Sequence, residues 1–123
     1  MALHHKLCHV LGGAFDLPHA ETHAVLLPHT VAYNAPSVPA AIGRVARALD
    51  TADVPSRLFE LVRDGGAPVS LCALGLPADA LDRATDLALA NPYWNPRPLD
   101  RGGIRMLLDA AWHGRRPGSA IAS

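Results

Sequence analysis

Histidines are concentrated in the first quarter of the chain. Six of the seven lie between residues 4 and 29, and the seventh is at position 113. Imidazole changes its charge near neutral pH and is also a ligand for first-row metals. The cluster therefore predicts a metal site, a proton-handling site, or helix surfaces that are rich in histidine. Its members are His4, His5, His9, His19, His23 and His29.

The spacing of these histidines suits a helical metal site. His5 and His9 are four residues apart, and so are His19 and His23. Residues at that spacing share one face of an α-helix, and two such imidazoles can hold one ion. A pair supplies only two ligands, whereas a stable site usually takes at least three from protein. The second helix must then fold back onto the first, and Gly12-Gly13 favours a reversal there. Spacing does not decide which of the six would bind.

Apolar residues recur at helical spacing along most of the chain, which predicts an all-α fold. We place helices at about residues 3–11, 16–34, 37–49, 56–63, 77–88 and 100–111, with a helical turn at 70–75. Asp16 and Asp100 are the predicted N-caps of the second and last helices. Pro28 lies inside the second helix and predicts a kink or a local break. The predicted inner face of the third helix consists of Ile42, Val45, Ala46 and Leu49.

Composition and charge argue against several functional classes. The 123 residues are half hydrophobic, enough for one domain or part of one. Eleven basic residues balance eleven acidic ones, so nucleic acid is a poor candidate partner. We find no signal peptide and no membrane span, and therefore expect a cytoplasmic protein with no membrane partner. Cys8 and Cys72 form no CxxC motif and are expected to be two buried, reduced thiols.

A long motif early in the chain resembles the signature region of the iron-containing (group III) alcohol dehydrogenase family. It covers residues 5–34 and reads HKLCHVLGGAFDLPHAETHAVLLPHTVAYN. The shared pattern is a histidine, three residues, a second histidine and a Leu-Gly pair, followed by Pro-His, Leu-Pro-His and Tyr-Asn. The similarity extends to Trp112. Together with NPYWNPRP at residues 91–98, it is greatest to a branch that reduces an unsaturated dicarboxylic keto acid in the bacterial breakdown of aromatic compounds.

The resemblance implies roles for individual histidines. His5 and His19 match two ligands of a divalent iron or zinc ion. His9 matches a histidine that faces the substrate and the nicotinamide and would carry a proton. The other three members of the cluster match no ligand position, and we expect them on helix surfaces, with a place near the pocket open for His23. If activity in this branch does not depend on metal, His5 and His19 would bind or polarise the substrate directly.

The resemblance also implies what the chain lacks. Family members join an N-terminal α/β domain, which binds NAD(P)H through a glycine-rich loop, to a C-terminal helical domain that carries the metal. This sequence has no GxGxxG motif, no βαβ pattern and no match to the family's aspartate ligand and a further histidine ligand. We interpret residues 1–112 as part of the helical domain and 113–123 as a flexible tail.

The nucleotide-binding domain is then a missing partner. The remaining implied partners are a dicarboxylic small-molecule substrate and, as one possible assembly, a second copy in a homodimer. Two imidazoles leave half of a metal's coordination shell to water. We therefore expect an isolated chain that binds neither NAD(P)H nor Fe²⁺ or Zn²⁺ tightly and is not active.

The segment NPYWNPRP has two interpretations. Three prolines in eight residues exclude regular structure. In the family, the Asn-Pro-Arg segment borders the active-site cleft, which implies that Tyr93, Asn95 and Arg97 form part of the substrate pocket. Alternatively, the segment is a connector whose aromatic residues fill the core and whose Arg97 caps a helix C-terminus.

Two rival functions remain at this point. One is a broader alcohol dehydrogenase of the same family. The other is a non-catalytic helical module that uses its histidines to bind metal or a partner. A helical domain that normally packs against a second domain should expose an apolar patch, whereas a self-sufficient module should not.

Overall fold

The described part of the chain contains six α-helices and no strand, so the all-α prediction is confirmed. The structure is a computed structural model that describes residues 2–90, 95 and 97–117. None of the helices in these ranges is long and apolar enough to cross a bilayer. The helices are α1 (Ala2–Phe15), α2 (His19–Asn34), α3 (Pro39–Leu49), α4 (Val54–Asp64), α5 (Ala80–Leu89) and α6 (Arg101–His113), with a 3-10 turn (Ala35–Ser37) after α2.

Helix α2 is the centre of the fold. It packs against α1, α4 and α6, and α5 packs against α1 and α6. On α1, Leu3, Leu7 and Leu11 are fully buried, and their spacing of four places them on one helix face. Because this face points into the core, the opposite face, which carries His5 and His9, is exposed. The leucine pattern thus sets the direction in which the histidines of α1 point.

The reversal between α1 and α2 does not occur at the two glycines. Helix α1 continues through them to Phe15, and the chain turns at residues 16–18. Asp16 adopts a left-handed conformation (φ 56°), which aspartate tolerates better than most residues. The Leu17 amide donates to the Leu11 carbonyl at 3.2 Å. Since the N-cap position of α2 is Pro18, the prediction of an Asp16 cap was wrong.

Other helix boundaries follow local chemistry. Helix α4 begins at Val54, two residues before the predicted start, because the Asp53 side chain accepts the Ser56 amide at 3.1 Å. The predicted Asp100 cap of α6 is confirmed, with the Gly103 amide donating at 2.8 Å. Helix α2 passes through Pro28 as one helix, so no local break occurs there.

Helix α3 is the least covered helix. None of its residues is buried, and Val45 is 40% exposed, so its apolar residues do not form the inner face that we predicted. Ile42 and Val45 instead line an open apolar groove with Val31 of α2 and Val54 of α4. In the described part of the chain, α3 packs on α4 and the 3-10 turn alone, which leaves one side of this groove open.

The chain after α6 returns along the body of the protein. Arg115 forms an ion pair with Asp109 at 2.8 Å, and Arg116 with Glu60 at 3.0 Å. Pro117 is buried. Residues 118–123, the rest of the predicted flexible tail, lie outside the described ranges, and the flexibility of the tail stays a prediction.

Candidate functional site

A pocket of about 290 Å³ lies between α1 and the start of α2. Its polar walls are four imidazoles and one thiol, contributed by His5, Cys8, His9, His19 and His23. Histidines from two consecutive helices therefore meet at one concave surface. No carboxylate is among the described residues that line it.

The two glycines form part of the pocket wall. Gly12 and Gly13 both line it. A Cβ on Gly13 would meet nothing within 4 Å, and one on Gly12 would reach only the Leu17 carbonyl, at 4.0 Å. Side chains at these positions would therefore project into open space beside the histidines. We predicted a turn here, but packing of the leucine face outweighs the helical cost of glycine, about 1 kcal/mol per residue.

A second group of side chains, His4, Cys8 and His23, adjoins the pocket. The Nε2 of His4 is 3.2 Å from the Nδ1 of His23 and 3.7 Å from the Sγ of Cys8. The rings of His19 and His23 are 4.2 Å apart between centroids. His23 thus lies between His19 at the pocket surface and His4 beneath it.

This arrangement keeps the inner imidazoles neutral. Burial, reinforced by the neighbouring His23, lowers the pKa of His4 to about 4. Burial also lowers the pKa of His23, with further lowering by His19 and His5. A neutral imidazole carries one lone pair that can accept a proton or bind a metal. At neutral pH, both groups are therefore in the form that such chemistry requires.

Our expectation that the three unassigned histidines lie on helix surfaces was wrong for His29. It is 2% exposed, and its Nε2 atom has no hydrogen-bond partner among the described residues. His4 and His23 are partly buried, and His23 lines the pocket. Of the two cysteines, Cys8 is buried as predicted, but Cys72 is exposed.

The described residues of the proline-rich segment contact other parts of the fold. Asn95 and Arg97 are not among the residues that line the histidine pocket, and Tyr93 lies outside the described residues. The Asn95 amide donates to the Asn34 side chain and to the Arg97 carbonyl, both at 2.7 Å. Arg97 donates to the Tyr33 carbonyl at 3.1 Å, with its guanidinium 4.1 Å from the centre of the Tyr33 ring.

These contacts match the interpretation in which the segment connects two helices and Arg97 caps a helix C-terminus. The Tyr33 carbonyl belongs to the last turn of α2, where a cation interacts favourably with the helix dipole and the free carbonyls. A role of Tyr93, Asn95 and Arg97 in binding substrate stays a prediction from the family resemblance.

The chain belongs to the Fe-containing alcohol dehydrogenase family. Residues 1–112 match the profile described as Fe-containing alcohol dehydrogenase family, C-terminal. The all-helical structure and the histidine-lined pocket described above thus belong to the C-terminal part of this family.

Three individual relatives show which members of the family this chain resembles. The chain is 56% identical over 117 residues to a maleylacetate reductase from Burkholderia cepacia, covering 95% of this chain and 33% of the relative. The crystal structure of maleylacetate reductase from Agrobacterium tumefaciens superposes with a TM-score of 0.90 at 53% identity, over 95% of this chain and 33% of that one. An iron-containing alcohol dehydrogenase from Corynebacterium glutamicum gives a TM-score of 0.84 at 41% identity, over 98% and 34%. The chain thus spans about a third of the length of these relatives.

Proposed function

We propose that this chain is the C-terminal helical part of a maleylacetate reductase and that the pocket between α1 and α2 is its share of the active site. The observation that carries the proposal is the meeting of His5, His9 and His19 on one pocket. These are the three histidines to which the family resemblance assigns a role in catalysis or metal binding. Identity of 56% to a maleylacetate reductase over nearly the whole chain supports the same conclusion.

The pocket fits the family's metal in part. His5 and His19 line it from two helices, and imidazole nitrogen is a suitable donor for divalent iron or zinc. Two imidazoles supply half of a tetrahedral shell, and no carboxylate lines the pocket in the described part of the chain. The remaining ligands would come from the rest of a longer protein. A divalent cation held there would supply positive charge that stabilises the charge developing on the substrate.

If an N-terminal region of a longer protein holds NAD(P)H, that cofactor would supply the hydride for reduction of the carbon–carbon double bond of 2-maleylacetate to 3-oxoadipate. His5 and His19 would hold the metal ion or, without it, would orient the keto end of the substrate as direct hydrogen-bond donors. His9, on the exposed face of α1, holds a proton on its ring nitrogen and delivers it to the substrate.

The open groove between α2, α3 and α4 supports the proposal that this helical part packs against another region of a longer protein. It is almost entirely apolar, with Val31, Ile42, Val45 and Leu58 among its lining residues. A self-sufficient module would cover such a surface, so the groove argues against the non-catalytic alternative. The proposal includes a nucleotide-binding N-terminal region as partner, together with the cytoplasmic location and the homodimer inferred from the sequence.

A broader alcohol dehydrogenase is the nearest alternative. The alcohol dehydrogenase from C. glutamicum is 41% identical to this chain, and a structure described as a putative alcohol dehydrogenase from Ralstonia eutropha is 55% identical. The curated relatives from B. cepacia, Sphingobium indicum and Pseudomonas knackmussii, at 55–56% identity, are all maleylacetate reductases. We therefore assign a dicarboxylic keto acid rather than an alcohol as the substrate class.

A chimaera tests the proposal. This chain replaces the third of the B. cepacia protein with which it aligns, and NADH oxidation is followed with maleylacetate and, separately, with short-chain aldehydes. We expect reduction of maleylacetate by the chimaera and no activity of the 123-residue chain alone. A folded chimaera that binds NADH and reduces aldehydes only would favour the broader dehydrogenase. One that reduces neither would contradict the proposal.

A further inference from the structure

We propose a second metal site, selective for Zn²⁺, formed by His4, Cys8 and His23 between α1 and α2. These residues differ from the positions that match the family's ligands, His5 and His19, and the inference does not rest on the proposed function. In the described part of the chain, they form a group whose ligand atoms all lie within 4.8 Å of one another.

Two of the three distances between the ligand atoms match those around a tetrahedral ion, and the third, between Cys8 and His23, is within 4.8 Å. Zinc–nitrogen bonds of about 2.0 Å and zinc–sulfur bonds of about 2.3 Å place two nitrogens roughly 3.3 Å apart and a nitrogen and a sulfur roughly 3.6 Å apart. The separation between the imidazole nitrogens of His4 and His23 is 3.2 Å, and that between the His4 nitrogen and the Cys8 sulfur is 3.7 Å. Two edges of the tetrahedron therefore exist before any ion is bound.

Thr30 fixes the tautomer of His4. The Thr30 hydroxyl, which is fully buried, donates its one proton to the carbonyls of α2 at Leu26 and Leu27, 3.2 and 3.1 Å away. It therefore accepts from the Nδ1–H of His4, at 3.1 Å. The Nε2 of His4 is then the unprotonated nitrogen, and it faces Cys8 and His23. Such a hydrogen bond on the far side of the ring is the usual support of a metal-bound histidine.

The chemistry and accessibility of the group also favour an ion. Two neutral imidazoles and one thiol form a soft donor set, which selects zinc over magnesium or calcium. On binding, the S–H bond of Cys8 breaks, a zinc–sulfur bond forms, and the proton leaves to water in the pocket. Cys8 and His23 both line that pocket, so an ion can enter from it and a water molecule can complete the shell.

The protonated thiol of Cys8 lowers the affinity of the group for zinc. Burial raises the pKa of Cys8 to about 11, so the proton must be displaced by the ion at neutral pH. Binding should therefore strengthen as the pH rises.

The competing interpretation is a network without metal, in which the Nδ1–H of His23 donates to His4 and Cys8 plays no part. The two interpretations differ in whether a bond forms to sulfur.

Cobalt reports that bond directly, because thiolate ligation of Co²⁺ gives a near-ultraviolet charge-transfer band. The reduced 123-residue chain is titrated with Co²⁺ and then with Zn²⁺. We expect the band to saturate at one equivalent and to disappear as Zn²⁺ displaces the cobalt. Cys8→Ser should abolish the band, whereas the matched control Cys72→Ser, at the exposed cysteine, should keep it.

Further variants separate this site from the family's positions. His23→Gln and Thr30→Val should each weaken Co²⁺ binding by about 10-fold or more, the first by removing a ligand and the second by releasing His4. His5→Gln should leave the charge-transfer band in place. Circular dichroism confirms that each variant is folded.

Three results would overturn the proposal. They are a folded wild-type chain with no charge-transfer band, a band that survives in Cys8→Ser, and cobalt binding that is lost in His5→Gln but unaffected in His23→Gln. None of them depends on whether the chimaera reduces maleylacetate, so failure of this site and failure of the proposed function are distinguishable.

Discussion

His29 makes the stability of this protein sensitive to acid. It is 2% exposed, its Nε2 has no partner among the described residues, and burial lowers its pKa from 6.5 to about 4. In the unfolded chain, the imidazole binds a proton below pH 6.5, whereas the folded protein excludes that proton until about pH 4. Stability is therefore fully present above pH 6.5 and is lost as the pH falls toward 4.

The size of this effect follows from the pKa difference. A shift from 6.5 to about 4 corresponds to about 3 kcal/mol when the loss is complete. His29→Leu removes the titrating group and keeps a similar apolar volume. Between pH 7 and pH 4.5, the wild type should therefore lose about 2 kcal/mol more free energy of unfolding than the variant. His4, whose pKa is also lowered by burial, is present in both proteins and cancels in the comparison.

The assay is urea denaturation followed by far-ultraviolet circular dichroism at both pH values. The control variant is His113→Leu, which changes an exposed histidine at the end of α6 and should retain the wild-type loss. If the wild type and His29→Leu lose the same free energy on acidification, the argument from burial of His29 is refuted.

Contacts between α2 and the start of α6 give two further predictions, both measured by urea denaturation. Tyr33→Phe should lower the free energy of unfolding by about 1–3 kcal/mol. The reason is that the Tyr33 hydroxyl donates to the Pro98 carbonyl at 2.7 Å and accepts from the Asp100 amide at 3.2 Å. An unchanged free energy of unfolding would show that water replaces both bonds. Gly103→Ala should destabilise the protein despite the better helix propensity of alanine, because its Cβ would lie 3.0 Å from the Tyr33 ring. Gly102→Ala is the matched control, because its Cβ would have only the Asp100 carboxylate near it, at 3.6 Å. This substitution should be neutral or stabilising. Equal effects of the two substitutions on stability would contradict the packing argument.

The sequence predicted a helix accurately where the repeat of apolar residues and an N-cap residue indicate the same start. Asp100 and the apolar repeat of the last helix located α6, because a side-chain cap and a buried face are both local properties. The extent of α1 was missed because two glycines usually end a helix. Here the buried leucine face and the left-handed Asp16 move the turn three residues onward.

The site was predictable only in part, because it depends on how two helices are rotated against each other. Spacing alone indicated a histidine cluster, and the family resemblance selected His5, His9 and His19. The contact between His4 and His23 joins residues 19 positions apart, and no local pattern fixes it. A signal did exist in the spacing of four between His4 and Cys8, which places a thiol and an imidazole on one face of α1.

The central claim is that His5 and His19, from two helices, act in one active site. The most direct test is the kcat/KM of the chimaera for maleylacetate with His5→Gln or His19→Gln, beside His113→Gln as an exposed control outside the pocket. The account predicts a loss of about 100-fold for each pocket variant and wild-type activity for the control. Pocket variants that retain wild-type kcat/KM would contradict it.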